Sequence, residues 1–222
     1  MRTRGALIGA ALAASAVVWA DRALRSRYET WGATLDDVRC AMPGDDVVPD
    51  PVRASTRAVA IHAPPDRVWP WLVQIGHGRG GLYSYDWLEN VIGCDLHSAD
   101  TILTEHQRLD PGDLVRMGPE GYPCFAVVDV DAGHHLVLQS ADLTTGRPTS
   151  DQPTNSSWQW LLEPHGDATR LVSRQRLAYP RLQAPMWAAL QPVTFAMERK
   201  MLLGIKARAE AGAQAGTISQ LL

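Results

Sequence analysis

Across residues 186–205, apolar side chains return at steps of three and four: Met186, Leu190, Val193, Met197, Met201 and Ile205. That is the spacing at which side chains share one face of an α-helix. Glu198, Arg199, Lys200, Lys206 and Arg208 read as the opposite, solvated side. The segment therefore predicts one long amphipathic helix laid on an apolar surface, kinked at Pro192. Its Met-rich face is deformable, because an unbranched thioether side chain fills irregular gaps.

The residues ahead of this helix supply the surface. Residues 56–62 have strand length, with Val59 and Ile61 on one face. Ala63-Pro64-Pro65-Asp66 breaks that strand, and Pro65 suits the first turn of a helix, where its missing N–H costs nothing. Val68, Leu72 and Ile75, joined by Trp71, form the stripe of that helix, with Pro70 close to its start. A glycine joint at 76–81 leads to a second short helix, expected over residues 83–92 with Tyr83, Trp87 and Val91 stacked on one face. Further strands are expected at 114–117, 124–130, 135–140, 157–163 and 169–176, and Asp131-Ala132-Gly133 and His165-Gly166-Asp167 read as hairpin turns. Trp158, Trp160 and Leu162 alternate with Gln159, which predicts a strand with one buried face. Strands grouped together with helices at the ends mean an α+β fold. A curved antiparallel sheet wrapped around the terminal helix leaves a space wherever the helix face does not fill it.

The first twenty residues differ from the rest. Arg2 and Arg4 precede an uncharged run over residues 5–20, roughly 24 Å long as a helix at about 1.5 Å per residue. Three readings stay open: a cleaved secretory signal ending at Ala14-Ser15-Ala16 or Val18-Trp19-Ala20, an uncleaved membrane anchor with Trp19 at the interface, or a helix packed on protein. The anchor is the reading adopted, making the chain membrane-associated through residues 5–20. Arg22, Arg25 and Arg27 then favour a cytoplasmic body, the alternative being a soluble cytoplasmic protein. Residues 21–51 read as a connecting arm, in which Thr34-Leu35-Asp36-Asp37 has the form of a capping box and starts a short helix. The body is expected over 52–212, with a tail at 213–222.

A net charge of −3 and a sequence pI near 6.1 argue against a nucleic-acid partner held by phosphate contacts. Three cysteines, Cys40, Cys94 and Cys124, cannot all pair within the chain, so a reducing compartment fits best. Gly76-x-Gly78-x-x-Gly81 matches a dinucleotide-binding pattern letter for letter, but it follows a helix and opens no βαβ unit, so no cofactor is expected. His134-His135, placed on a strand, would point to opposite faces, and Cys94-x-x-His97 lacks a partner half-site. No metal is therefore expected. The sequence carries no G-x-S-x-G elbow, P-loop or H-E-x-x-H.

The cluster of interest is His77, Arg79, Tyr83, Tyr85, Asp86, Trp87 and Glu89. It reads either as the polar end of a cavity or as a helical hairpin whose aromatics pack and whose charges are solvated. Tyr83, Tyr85, Trp87 and Arg174 are the expected ligand-binding residues. Arg174 shares a strand face with Val172 and Arg176. On a concave face it would neutralise an acidic ligand or Asp86, and on a convex face it would be solvated. For an enzyme, His77, Tyr83 and Asp86 are the acid/base candidates.

Val59-Ala60-Ile61-His62-Ala63-Pro64-Pro65-Asp66-Arg67-Val68-Trp69, together with the final helix, resembles the START-like superfamily, also called SRPBCC or Bet v 1-like. The resemblance spans about residues 52–210 and is nearest to polyketide cyclase/dehydrase-like proteins. The chain is also similar to bacterial members with an N-terminal hydrophobic segment followed by Trp31-Gly32-Ala33-Thr34. It implies a helix-grip fold around a hydrophobic cavity, and binding, with transport or sequestration, of a hydrophobic or amphipathic small molecule such as a lipid or polyketide. The alternatives are a polyketide cyclase/dehydrase-like enzyme using the same cavity, and a membrane-tethered interaction module with a filled core. No catalytic motif of a cyclase maps here residue by residue, and the superfamily's fold does not fix its function.

Overall fold

The computed structural model describes Arg25 and residues 27–219. Six strands form one antiparallel sheet: β1 Arg53–Ile61, β2 Leu114–Arg116, β3 Cys124–Asp131, β4 His135–Ala141, β5 Asn155–His165 and β6 Ala168–Ala178. Their spatial order is β1-β6-β5-β4-β3-β2, so hairpins account for every pairing except that of the first strand with the last. That long-range pair runs in unbroken register from Arg53 opposite Leu177 to Ile61 opposite Thr169. The register slips between Val127 and Asp129 in β3, an irregularity of the kind that bends a strand and raises its local twist. Four bounded α-helices are described besides the sheet: α1 Leu35–Arg39, α2 Pro65–Val73, α3 Asp86–Val91 and α4 Ala184–Ser219.

α2 begins at Pro65, and its stripe of Val68, Leu72 and the following Ile75 is fully buried. Pro70 is tolerated because the carbonyl it leaves without an intrahelical donor, that of exposed Asp66, lies in the first turn, next to water. On the concave face of the sheet, Trp160, Leu162 and Leu171 pack with Met201, Leu202 and Ile205 of α4 in one core. Gly204 permits the close approach of α4 to the loop before α3, since a Cβ there would lie 2.5 Å from the Tyr83 carbonyl oxygen.

The structure corrects several expectations. The apolar stripe of α4 is buried only in its second half: Met186, Leu190 and Val193 are exposed, because the packed core begins near Met201 and the segment around Met197 borders an opening instead. Glu198, assigned from the sequence to the solvated side, points inward with Met201 and Ile205. α3 is shorter than expected, and Trp87 and Val91 are largely exposed. Tyr83 precedes it in a left-handed conformation (φ +54°), which rotates the helix so that Glu89 is the residue turned inward. Finally, β5 is buried on both faces: Gln159 is as inaccessible as Trp160.

The reason for that last difference is the arm. Residues 31–50 form a layer over the outer face of the sheet. The expected capping box is present at α1, where the Thr34 hydroxyl accepts from the Asp37 amide and the Asp37 carboxylate from the Thr34 amide. Met42 packs against Ala58 and Val172. Gly44, in a left-handed conformation (φ +86°), lies so close to β4 that a Cβ would be 2.4 Å from Val137 Cγ1. Arg170, Arg174 and Arg176 on β6 bind the arm from beneath, chiefly through its backbone carbonyls and through Asp37 and Asp45.

The apolar run at residues 5–20 lies outside the described residues. Among the described residues, no helix is long and apolar enough to cross a membrane. The hairpin turns after β3 and β5 sit where the sequence placed them. His134 belongs to the first of these turns and not to a strand, so its imidazole converges with that of His135 instead of diverging from it.

Candidate functional site

Where α4 stands away from the sheet, a cavity of about 150 Å³ opens between the two. Its apolar wall comes from Leu82, Trp158, Met197 and Met201, and its polar contacts from Ser84, Glu89, Gln175, Thr194 and Glu198. Strand alternation supplies the sheet's share, since Trp158 on β5 and Ser173 and Gln175 on β6 point to the same concave side. Trp158 is fixed from two directions. Its indole N–H donates to Ser173 Oγ at 3.1 Å, and its ring lies against Trp160 with centroids 4.4 Å apart.

The two carboxylates of the cavity differ in their surroundings. Glu198 forms a buried ion pair with Arg57 and accepts from Ser173 Oγ at 2.6 Å. Arg57 donates in turn to the Tyr28 carbonyl at 2.7 Å and lies over the Phe195 ring. The Glu198 charge is therefore compensated in place. Glu89 is 2% exposed, and among the described residues neither of its oxygens has a hydrogen-bond partner. Burial, reinforced by the nearby Asp86 charge and only partly offset by Ser84, pushes its carboxyl up to about 7. The Ser84 hydroxyl itself donates to the Met197 carbonyl at 3.0 Å, which ties the cavity's loop to α4.

The expected ligand-binding and acid/base residues fall in three places. Tyr83, Tyr85, Asp86 and Trp87 come together, but along an open surface groove shared with Lys200 and Arg208 and not in the cavity. Within that group Tyr83 is a structural post: its hydroxyl accepts from Gln74 Nε2 at 2.9 Å, its ring meets Trp71 edge-on, and Arg208 lies over it at 4.8 Å. Burial pushes its phenol up to about 12. Asp86 is occupied by the amide and hydroxyl of Ser98, both at 2.7 Å. His77 stands apart, its Nε2 3.8 Å from Asp95 and its amide donating to the Arg116 carbonyl. Arg174 lies on the outer face, where it donates to Asp45 at 2.7 Å and to Thr56 at 3.0 Å.

The cavity's own polar residues, Glu89 and Glu198, were within reach of the sequence. Glu89 belongs to the cluster read there, and Glu198 sits three and seven residues before Met201 and Ile205, in register with the buried stripe.

No protein-family model matches the sequence. No curated protein matches it either. Solved structures do align with it. Ara h 8.0201 matches at 12% identity over 72% of this chain and 98% of its own, with a TM-score of 0.45. Protein MLL2253 from Mesorhizobium loti matches at 14% identity over 72% and 98%, with a TM-score of 0.43. CalU16 from Micromonospora echinospora matches at 16% identity over 73% and 87%, with a TM-score of 0.34. The architecture itself is decided by the strand order and by the terminal helix held on the concave face. The chain has the helix-grip, Bet v 1-like fold. Likeness at this level says nothing of what the protein binds.

Proposed function

We propose that the protein binds a hydrophobic or amphipathic small molecule in the cavity between the sheet and α4. The observation that carries this is Glu89: a carboxyl without a hydrogen-bond partner among the described residues, buried at the edge of an apolar hollow. An unpaired polar group in such a place costs on the order of 1–3 kcal/mol, and a ligand hydroxyl or amine offsets that cost on binding. Removal of apolar area from water at Trp158, Met197 and Met201 supplies the remaining affinity, roughly 25 cal/mol per Å². A void near 150 Å³ accommodates about one ring or a short alkyl segment.

The test is a titration of tryptophan fluorescence with hexanol, hexylamine and hexanoate. Hexanol and hexylamine bind, hexanoate binds at least tenfold more weakly at pH 8, and Met197→Trp abolishes binding while the circular dichroism spectrum is kept. Equal binding of all three probes, or none by any, overturns the proposal. An anchor at residues 5–20 would place this cavity beside a membrane, a source of such molecules; alkaline carbonate extraction of membranes carrying the full chain checks that placement, and release of the chain refutes it.

A second reading has one observation in its favour. A carboxyl held near 7 in a cavity is suited to general acid–base catalysis at neutral pH. In a cyclase/dehydrase-like enzyme, Glu89 would then move the proton in place of His77, Tyr83 or Asp86, none of which lines the cavity. Loss of turnover in Glu89→Gln with binding retained would separate catalysis from carriage.

A further inference from the structure

We propose that the β3–β4 hairpin binds a divalent transition-metal ion of the zinc type, with Asp131, His134 and His135 as ligands. Asp131 and His135 are directly opposed across the two strands, so their side chains share one face. His134 is brought to them by the turn. Its amide donates to the Asp131 carbonyl at 2.9 Å, and its own carbonyl accepts from Leu162 on β5 at 2.8 Å, so the turn is fastened both to itself and to the sheet.

The donor atoms converge accordingly. The two Nδ1 atoms are 3.1 Å apart, His134 Nδ1 is 3.5 Å from Asp131 Oδ2, and one ligand atom from each of the three residues lies within 4.8 Å of the others. Tetrahedral coordination with bonds of about 2.0–2.2 Å places neighbouring ligand atoms roughly 3.3–3.5 Å apart, which this group meets with little movement.

A fourth residue aims the set. His135 Nε2 is 2.9 Å from Asp129 Oδ2. With that N–H given to the carboxylate, the lone pair of His135 lies on Nδ1, the atom facing His134 and Asp131. A carboxylate holding the far nitrogen of a ligating histidine is the usual outer support of such sites. Asp129 reaches His135 beside the register slip that follows Val127. His135 is only 12% exposed, whereas Asp131 and His134 face solvent. The ion is therefore gripped from one side and open to water or another ligand on the other. Two carboxylates balance its charge. None of these four residues lines the cavity, so the site stands or falls independently of ligand binding there.

Calorimetric titration of the full chain with zinc chloride, after removal of metal by a chelator, tests the proposal, with amide NMR to locate the ion. One saturable site is expected, with shifts confined to residues 129–135 and no response to magnesium. Asp131→Asn and His134→Ala each lower the affinity about tenfold or more, and Asp129→Asn, which removes no ligand, lowers it about 10- to 100-fold. A Cys40→Ala chain binds as the parent does. Binding of equal strength in a His134→Ala/His135→Gln chain, shifts centred on Cys40, or no saturation up to about a millimolar overturns it. Unchanged circular dichroism and melting temperature in each variant exclude misfolding as the cause of a loss.

Discussion

Glu89 and Glu198 are both almost wholly buried, at 2% and 5% exposure, yet of the two only Glu198 has a hydrogen-bonded partner among the described residues. Glu89 has its folded-state pKa raised to about 7, so the folded state holds its proton more tightly than the unfolded chain does. The folded state thus bears no penalty well below the unfolded value, and loses stability as the pH rises toward and through 7. Glu89→Gln is expected to stabilise the protein by on the order of 2 kcal/mol at pH 8 and to leave it unchanged near pH 4, as read from urea midpoints across that range. Glu198 differs in having a partner, Arg57, as deeply buried as it is. Arg57→Met strands a charge and is expected to cost about 3–5 kcal/mol by the same urea measurement at pH 7. Period alone shows that Glu198 falls on the buried stripe of its helix. What the pattern does not show is Arg57, 141 residues away, which makes that position tolerable.

Among the elements, α2 was fully legible, because proline placed its start and the apolar stripe its buried face. α3 was not. A stripe of Tyr83, Trp87 and Val91 has the right spacing, but Tyr83 leaves helical geometry altogether, and a single left-handed residue turns the stripe outward. In α4 the repeat is continuous while the burial is not, since the sequence records apolarity and not where the partner surface stops. Met201→Ala is therefore expected to cost about 2–5 kcal/mol, and Leu190→Ala on the exposed first half less than about 0.5 kcal/mol. A comparison of thermal melts decides it. The arm is the element the sequence concealed best. Arg170, Arg174 and Arg176 alternate along β6 as residues on a solvated face would, and their acceptors are largely backbone carbonyls of residues 32–49, which no side-chain pattern encodes. Arg174→Ala is expected to expose residues 37–49 to limited proteolysis while leaving hexanol binding in the cavity unaltered.

On the scale of the whole molecule, the hairpins determine five of the six positions in the sheet, and turn residues in the sequence mark two of the four connections, those after β3 and β5. Only the pairing of β1 with β6 depends on contacts distant in sequence, and there the resemblance carried what periodicity did not. The result is a layered body, with helix on one side of the sheet and a strapped-down loop segment on the other. That second covering has a mechanical consequence. A β-layer clamped from behind by arginine staples resists flattening, so the hollow cannot swell at the expense of its floor. Any guest bulkier than a single ring has to be admitted by displacing the roof, and the exposed turns of the terminal helix around Met186, Leu190 and Val193, with Pro192 among them, are the place for it to give way.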